Sequence, residues 1–180
     1  SSVAYDLRVL PDGCMDLIGD DVVGSLTTVL VGHLQPGEVT RGVRFHPGGF
    51  PALFGVPASE LVNQRVPISD VRRDYRSLLE LSREANFPDP LAGAAYRAWN
   101  VRTLAREVGY SDRQLRRRVV TATGHSPKRL MRIGRMQRVL SAWRGESWAR
   151  AAVEHGYFDE AHLANDVSDL AGATPRQLLG

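Results

Sequence analysis

A short pattern occurs twice in the second half of this 180-residue chain, and each copy is centred on a Gly-Tyr turn. Gly109-Tyr110 and Gly156-Tyr157 lie 47 residues apart. Each turn is preceded and followed by a segment whose apolar residues have helical spacing. Two short helices joined by a short turn that contains glycine form a helix-turn-helix unit. The sequence therefore predicts two such units in this half.

Capping signals in the same half indicate where its helices begin. Ser111-Asp112-Arg113-Gln114 fits a capping box, Ser126-Pro127 places a cap residue before a proline, and Thr174-Pro175-Arg176-Gln177 combines both devices. The predicted helices span about 101–108, 112–122, 127–143, 148–155, 159–170 and 175–179. This assigns one unit to about 101–123, a linking helix to about 127–143 and the other unit to about 148–170.

The first half alternates between strand patterns and turn residues. The predicted strands are Val3 to Val9, Cys14 to Ile18, Thr27 to Val31 and Val39 to Phe45. A helix is expected from Ile68 to Ser82, packed either inside its own domain or against a second copy. We place the domain boundary near residues 85–90. The predicted fold is multidomain α+β, with an α+β domain over residues 1–88 and an all-α domain over residues 89–180.

Positive charge is concentrated in one part of the chain. Residues 101–150 carry a net charge of +10, whereas residues 1–100 carry −3 and residues 151–180 carry −4. A block of this size is a candidate footprint for a polyanion, and a solvated basic face is the alternative.

Three arginines of this block lie on the predicted helix that follows the first Gly-Tyr turn. Arg113, Arg116 and Arg117 share its outward face, while Leu115 and Val119 face inward. Such a helix fits the major groove of DNA, about 12 Å wide, where arginine binds guanine O6 and N7 in a fork. A purely structural helix hairpin also carries surface arginines, but their clustering here favours DNA binding.

The spacing of the two units suggests how one chain could reach two grooves. Seventeen residues of linking helix at about 1.5 Å each span roughly 25 Å. With the width of the flanking units, the two recognition helices are expected about 34 Å apart, which is one turn of duplex. A monomer could then contact two successive major grooves. The sequence does not decide between a monomer and a homodimer.

These segments resemble the DNA-binding domain of the AraC/XylS family of bacterial transcription regulators. The resemblance over residues 101–179 is carried by LAREVGYSDRQLRRRV, GHSPKRLMRIGRMQRVL and AAVEHGYFDEAHLANDVSDLAGATP. The first half is more loosely similar to the cupin-like regulatory domain of one branch, through VLPDGCMDLI, GVRFHPGG and GVPASELVNQRVPISDV. The resemblance implies a cytoplasmic regulator of transcription that binds double-stranded DNA and responds to a small molecule or partner through its N-terminal domain. RNA polymerase is an expected partner if the protein activates transcription.

Carried over by position, the resemblance assigns base contacts to both units. In the first groove it implies Arg113, Arg116 and Arg117, and in the second groove Glu160, Ala161, Ala164 and Asn165. Glu160 would accept from cytosine N4, and Asn165 would pair with adenine.

The second recognition helix departs from the family pattern. Asn165 stands where the family usually has arginine, and Phe158 stands where it has a polar cap residue. The helix has no cation and four acids, which repel phosphates: Asp159, Glu160, Asp166 and Asp169. We therefore expect the first unit to dominate affinity, while the second discriminates weakly or contacts protein.

Phosphate contacts are expected from one helix N-terminus and from the start of the linking helix: Ser111, Lys128, Arg129 and Arg132. For Arg135 and Arg138, phosphate contact, solvation and pairing with Glu154 all stay open. Gln114 is expected to cap its helix rather than to read a base.

The residue pattern argues against an enzyme, a cofactor or a metal site. The five histidines lack metal-ligand spacing, and no phosphate loop or dinucleotide fingerprint is present. Cys14 is expected to be a small buried residue rather than a nucleophile, since Asp12 and Asp16 raise the pKa of a neighbouring thiol and so make it less reactive. A single cysteine excludes an internal disulfide and fits a reducing cytoplasm. No apolar run is long enough to span a bilayer, and the start of the sequence lacks the pattern of a signal peptide.

The contrasting interpretation is an adaptor with little DNA affinity that recruits a protein through its acidic C-terminal face.

Overall fold

A computed structural model describes residues 5–35, 37, 39–72, 80, 89–145 and 147–180. Its N-terminal part contains six described strands: β1 (Tyr5–Val9), β2 (Met15–Ile18), β3 (Asp21–Val23), β4 (Leu30–Leu34), β5 (Gly42–Phe45) and β6 (Arg65–Pro67). The short helices here are α1 (Gly49–Phe54), a 3₁₀ turn (Ala58–Glu60) and α2 (Ile68–Val71). Strands β1 and β4 form one antiparallel pair, and the other sheet has the order β5-β2-β3-β6.

The four-stranded sheet buries one face against α1, and aromatic rings fill the space between them. Leu17, Phe45 and Phe50 are fully buried in this cluster. The rings of Phe45 and Phe50 meet edge to face, with centroids 5.3 Å apart. Burial alternates along β2 and β5, as expected for strands with one face in a core.

The helices of the C-terminal part are joined by short turns, and no strand occurs among its described residues. The helices are α3 (Pro90–Arg97), α4 (Val101–Glu107), α5 (Asp112–Thr123), α6 (Pro127–Ala142), α7 (Trp148–Glu154), α8 (Glu160–Ala171) and α9 (Pro175–Leu179). From α4 onward they agree with the sequence prediction to within one residue at each end. Helices α4 and α5 form the first unit, α6 is the linking helix, and α7 and α8 form the second unit. The multidomain α+β fold is confirmed.

The caps explain this agreement. Ser111 and Thr174 each make a complete capping box, and the side chain of Ser126 accepts from the Arg129 amide. The interpretation of Phe158 as the cap of α8 is wrong. Asp159 is the cap, because its carboxylate accepts from the His162 backbone N–H at 2.7 Å.

Each helix-turn-helix unit has its own core, and the linking helix contributes to both. Leu130 and Met131 of α6 pack with the first unit, and Ile133 and Met136 pack with the second. Gly134 lets the backbone of α3 approach α6, since a Cβ there would lie 2.1 Å from the Tyr96 carbonyl oxygen. The linking helix therefore forms part of the hydrophobic core of both units.

The N-terminal part packs directly on the end of α5. Ser25 donates its hydroxyl to the Thr123 carbonyl at 2.8 Å. Gly124, with φ of 75°, caps α5, and a Cβ there would lie 2.3 Å from Val62 Cγ2. Further along, Gln137 of α6 donates to the Pro11 carbonyl at 2.8 Å. The strand-rich part thus contacts both the second helix of the first unit and the linking helix.

Three of the predicted strands overlap with observed ones over most of their length, and the fourth, Thr27 to Val31, only meets the start of β4. Strands β3 and β6 were not predicted, because three residues are too few to show alternation. The helix expected from Ile68 to Ser82 begins as α2, but α2 ends at Val71 and Arg72 has an extended backbone. The rest of the expected helix lies largely outside the described residues, as does most of the boundary near 85–90. Among described residues, no helix combines the length and apolar character needed to cross a bilayer.

Candidate nucleic-acid interface

The exposed side of α5 presents arginines. Arg113, Arg116 and Arg117 are exposed, and none pairs with a carboxylate in the part of the chain that the structure describes. Leu115 and Val119 are fully buried on the opposite side. The expected outward face of this helix is therefore present, with three guanidinium groups available to a ligand.

A fourth arginine of α5 is used differently. The Arg118 guanidinium stacks on the Tyr110 ring, with Cζ 4.8 Å from the ring centroid. Tyr110 belongs to the Gly-Tyr turn, so this contact links the turn to α5. Gln114 completes the capping box with Ser111, as expected.

The caps and the buried positions put the two units into register. Ser111 caps α5 and Asp159 caps α8, and these residues are 48 positions apart. The inward-facing residues obey the same offset: Leu115 with Leu163, Val119 with Val167, and Thr123 with Ala171. The same register pairs Arg113 with Ala161, Arg116 with Ala164 and Arg117 with Asn165. The second turn is thus one residue longer than the first, and Phe158 is the additional residue.

The acidic residues of α8 form ion pairs with arginines of the same chain. Arg132 Nε donates to Asp166 at 2.5 Å, and its Nη2 donates to Asp169 at 2.6 Å. Arg132 holds the pKa of Asp169 below its usual value by hydrogen bonding and charge attraction. Glu160 pairs with Arg176 at 3.0 Å. The four acids were expected to repel DNA. The structure pairs three of them with two cations, Arg132 and Arg176, so two of the four negative charges are neutralised and the repulsion is reduced.

The predicted phosphate contacts have different environments. Lys128 is exposed and has no carboxylate partner among the described residues. Arg129 donates to the Thr27 carbonyl of the N-terminal part. The Ser111 hydroxyl is engaged in its capping box, and Arg132 is engaged by two carboxylates. Of these four residues, Lys128 is therefore the one whose charge is most available to a DNA phosphate.

Two further arginines of α6 stack on aromatic rings. Arg135 lies over Tyr157 at 5.0 Å and donates to the Gly156 carbonyl at 3.3 Å. Arg138 lies over Trp99 at 4.8 Å and donates to the Tyr96 carbonyl at 3.1 Å. Pairing of either with Glu154 is wrong, since Glu154 pairs with Arg150 at 2.7 Å.

A basic cleft of about 870 Å³ separates the two units. Arg102 at the start of α4 and Lys128 at the start of α6 line it, together with His162 of α8. Arg102 was not singled out from the sequence. The available signal was its place two residues after Asn100, which caps α4 by accepting from the Thr103 amide. The cleft thus adds a cation to the candidate interface.

His125 lies behind the interface rather than on it. It is 1% exposed, and neither ring nitrogen has a hydrogen-bond partner in the described structure. Burial, with a smaller effect of the nearby Arg129 charge, lowers the pKa of His125 to about 4. Its burial indicates a packing role rather than contact with a DNA phosphate.

A second cleft, of about 430 Å³, lies between the strand-rich part and α3. It is lined by Asp12, Cys14, His46, Pro47, Gly93, Tyr96 and Arg97. Cys14 is partly buried rather than fully buried as expected. Desolvation, reinforced by Asp12, raises the pKa of its thiol above the usual value, in the direction expected from the sequence. Burial also raises the pKa of Tyr96 to about 12. Both groups are therefore protonated at neutral pH. Among the described residues, no group of three or more side chains is arranged to hold a metal ion.

Comparisons with known proteins find two family models that match separate parts of the chain. Residues 104–180 match the family model "Helix-turn-helix domain", and residues 2–67 match "Domain of unknown function (DUF6597)". A crystal structure of ToxT from Vibrio cholerae at 1.65 Å resolution is similar with a TM-score of 0.48 and 9% identity, over 99% of this chain and 97% of that one. No curated protein sequence matches the chain significantly. Residues 104–180 therefore match a helix-turn-helix family, in line with the resemblance to the AraC/XylS regulators, and they follow a segment that matches a different family.

Proposed function

We propose that this protein regulates transcription by binding duplex DNA at a specific sequence, with α5 in the major groove. The observation that carries the proposal is the set of exposed arginines on the second helix of an AraC-type helix-turn-helix unit. Arg113, Arg116 and Arg117 lie on the element that such units place in the groove. A guanidinium fork matches the O6 and N7 acceptors of guanine.

The surrounding residues supply contacts to the DNA backbone. Lys128 and Arg102 flank the basic cleft between the units, where the backbone passes if both helices occupy grooves. Arg129, Arg132 and the Ser111 cap are weaker candidates, because each already has an internal partner. In the second groove, Glu160, Ala161 and Asn165 are the candidate base contacts.

Selection of bound fragments from random duplexes tests this proposal. The full chain should enrich one motif with two parts, whose centres lie about one helical turn apart. The part contacted by α5 should contain guanines, and Arg116→Ala should relax the preference there. Recovery of fragments without any common sequence would contradict the proposal.

The contrasting adaptor function is less well supported. It depended on a free acidic surface on the second unit, and the ion pairs of Glu160, Asp166 and Asp169 with two arginines neutralise half of its four negative charges. The arginines of α5, by contrast, keep their charge exposed. The distribution of free charge therefore favours a polyanion as the partner.

We also propose that the N-terminal part controls DNA binding, in response to a small molecule or a partner. Two features support this. Val62, Ser25 and the 3₁₀ turn pack against the C-terminal end of α5, so a shift of the strand-rich part moves the helix that carries the arginines. The cleft that contains Cys14 and Tyr96 is bounded by both parts of the chain, and a small molecule bound there would contact both.

Substitution of one glycine tests this coupling. Gly124→Ala introduces a methyl group that collides with Val62 and Ser25, in addition to the strain of a positive φ. Gly55→Ala is the matched control, since Gly55 also caps a helix with φ of 75° but has open space around it. We expect Gly124→Ala to change DNA affinity several-fold in a mobility-shift assay and Gly55→Ala to leave it unchanged. Equal affinities for the two variants would count against control through this contact.

A further inference from the structure

We propose that the second helix-turn-helix unit reads A·T base pairs. Phe158 and Ala161 would contact thymine methyl groups, and Asn165 would hydrogen-bond to adenine. The inference rests on the proposed function, because it assigns a base preference to one half of the proposed DNA interface. The first unit reads guanine, so the binding site has two chemically different halves.

The register of the two units carries the first step. At the positions of α8 that correspond to the arginines of α5, the second unit has two methyl groups and one carboxamide: Ala161, Ala164 and Asn165. A methyl group offers no hydrogen bond to guanine, but it packs against the C5-methyl group of thymine. A carboxamide makes two hydrogen bonds to adenine, through N6 and N7. The exchange of side chains therefore changes the preferred base pair from G·C to A·T.

The second step is the extra residue in the turn. Phe158 precedes the Asp159 cap, and its side chain is 87% exposed, the largest exposure among the bulky apolar residues described. Exposure of a whole aromatic ring is unfavourable without a partner. The N-terminal residues of a recognition helix contact base edges, so a ring placed just before this helix lies close to the groove. Thymine methyl groups are the apolar feature of that groove.

The third step concerns charge. Glu160 is held by Arg176, and Asp166 and Asp169 are held by Arg132. Glu160 is thus engaged and is a poorer acceptor for cytosine N4 than a free carboxylate. Apart from Asp159, whose carboxylate caps the helix, the groups left free at the start of α8 are apolar or neutral. They suit the edge of an A·T pair better than the edge of a G·C pair.

An exposed aromatic ring also suits a protein partner, but its position favours DNA. Phe158 lies at the same end of α8 as Ala161, the residue that matches Arg113 of α5. The apolar surface is therefore continuous with the proposed DNA interface. Duplex DNA accounts for the ring, the alanine and the asparagine together.

Replacement of thymine by deoxyuridine tests the inference, because it removes only the C5-methyl group. The probe is the duplex enriched by selection. Its second half is defined as the base pairs at which the sequence preference changes when the selection is repeated with Asn165→Ala. Deoxyuridine in that half should lower the affinity of the full chain about fourfold for each methyl group contacted. Deoxyuridine in the other half should have no effect. In Phe158→Ala, sensitivity to deoxyuridine should fall at one or more positions.

The control variant is Val39→Ala, which removes another exposed apolar side chain, 78% exposed, from the strand-rich part. It should keep the full sensitivity to deoxyuridine. Specific duplex binding with no effect of deoxyuridine, or with G·C pairs enriched in the second half, would overturn this inference alone. If deoxyuridine lowers the affinity of Phe158→Ala as much as that of the parent, the inference is also overturned. The exposed ring would then be assigned to a protein partner. Absence of any specific duplex binding would overturn the proposed function and this inference with it.

Discussion

Arg116→Ala should lower the affinity for the selected DNA site by about 5- to 150-fold, equivalent to about 1–3 kcal/mol for one guanine contact. The side chain is exposed and has no carboxylate partner among described residues, so its loss removes the DNA contact and leaves the fold intact. A mobility-shift titration at fixed salt measures the effect. The specificity at the contacted base pair should relax at the same time.

Two control variants make this result interpretable. Arg65→Ala removes an exposed arginine from the strand-rich part, where it pairs with Asp21 at 2.8 Å, and should bind DNA as the parent does. Asn165→Ala should weaken binding less than Arg116→Ala, because the first unit carries the free positive charge. Equal losses for Arg116→Ala and Asn165→Ala would contradict the asymmetry between the units.

Arg132→Ala should reduce the free energy of unfolding by about 3 kcal/mol, because it leaves a buried carboxylate without its cation. Asp166 is 6% exposed, and its Oδ2 has no hydrogen-bond partner in the described structure. Its other oxygen depends on Arg132. Denaturant unfolding followed by circular dichroism measures the loss.

A second substitution distinguishes the unpaired charge from lost packing. Asp166→Leu added to Arg132→Ala should recover a large part of the stability, since the buried charge is then gone. Arg65→Ala is again the control, because its exposed ion pair should contribute less than about 1 kcal/mol. If Arg132→Ala unfolds with the same free energy as Arg65→Ala, the buried pair does not stabilise the second unit.

Most of the helical half could be predicted from local signals. Ser111, Ser126 and Thr174 mark helix starts by side-chain chemistry that acts within three residues. The recurring Gly-Tyr turns mark the helix pairs. These signals need no knowledge of distant residues, which is why the predicted bounds are accurate from α4 onward.

The ion pairs of the second unit could not be predicted in this way. Arg132 and Asp166 are 34 residues apart, and which carboxylate meets which guanidinium depends on how α6 packs on α8. The same holds for Glu160 and Arg176 on α8 and α9. Counting charges along α8 therefore overestimated its repulsion of DNA.

Contacts between the two parts of the chain were also beyond sequence reasoning. The bond from Ser25 to Thr123 joins residues 98 positions apart, and the contact of Gly124 with Val62 depends on the same packing. The short strands β3 and β6 form only because neighbouring strands pair with them. These long-range features are the ones on which the proposed control of DNA binding depends.

The most direct test of the central claim is the salt dependence of binding to the selected duplex. If α5 and the basic cleft bind DNA, the logarithm of the affinity should fall linearly with the logarithm of salt concentration, with a slope of about −0.9 for each phosphate contacted. Lys128→Ala should make the slope shallower by about one unit. An affinity for duplex DNA that does not change with salt would contradict the account.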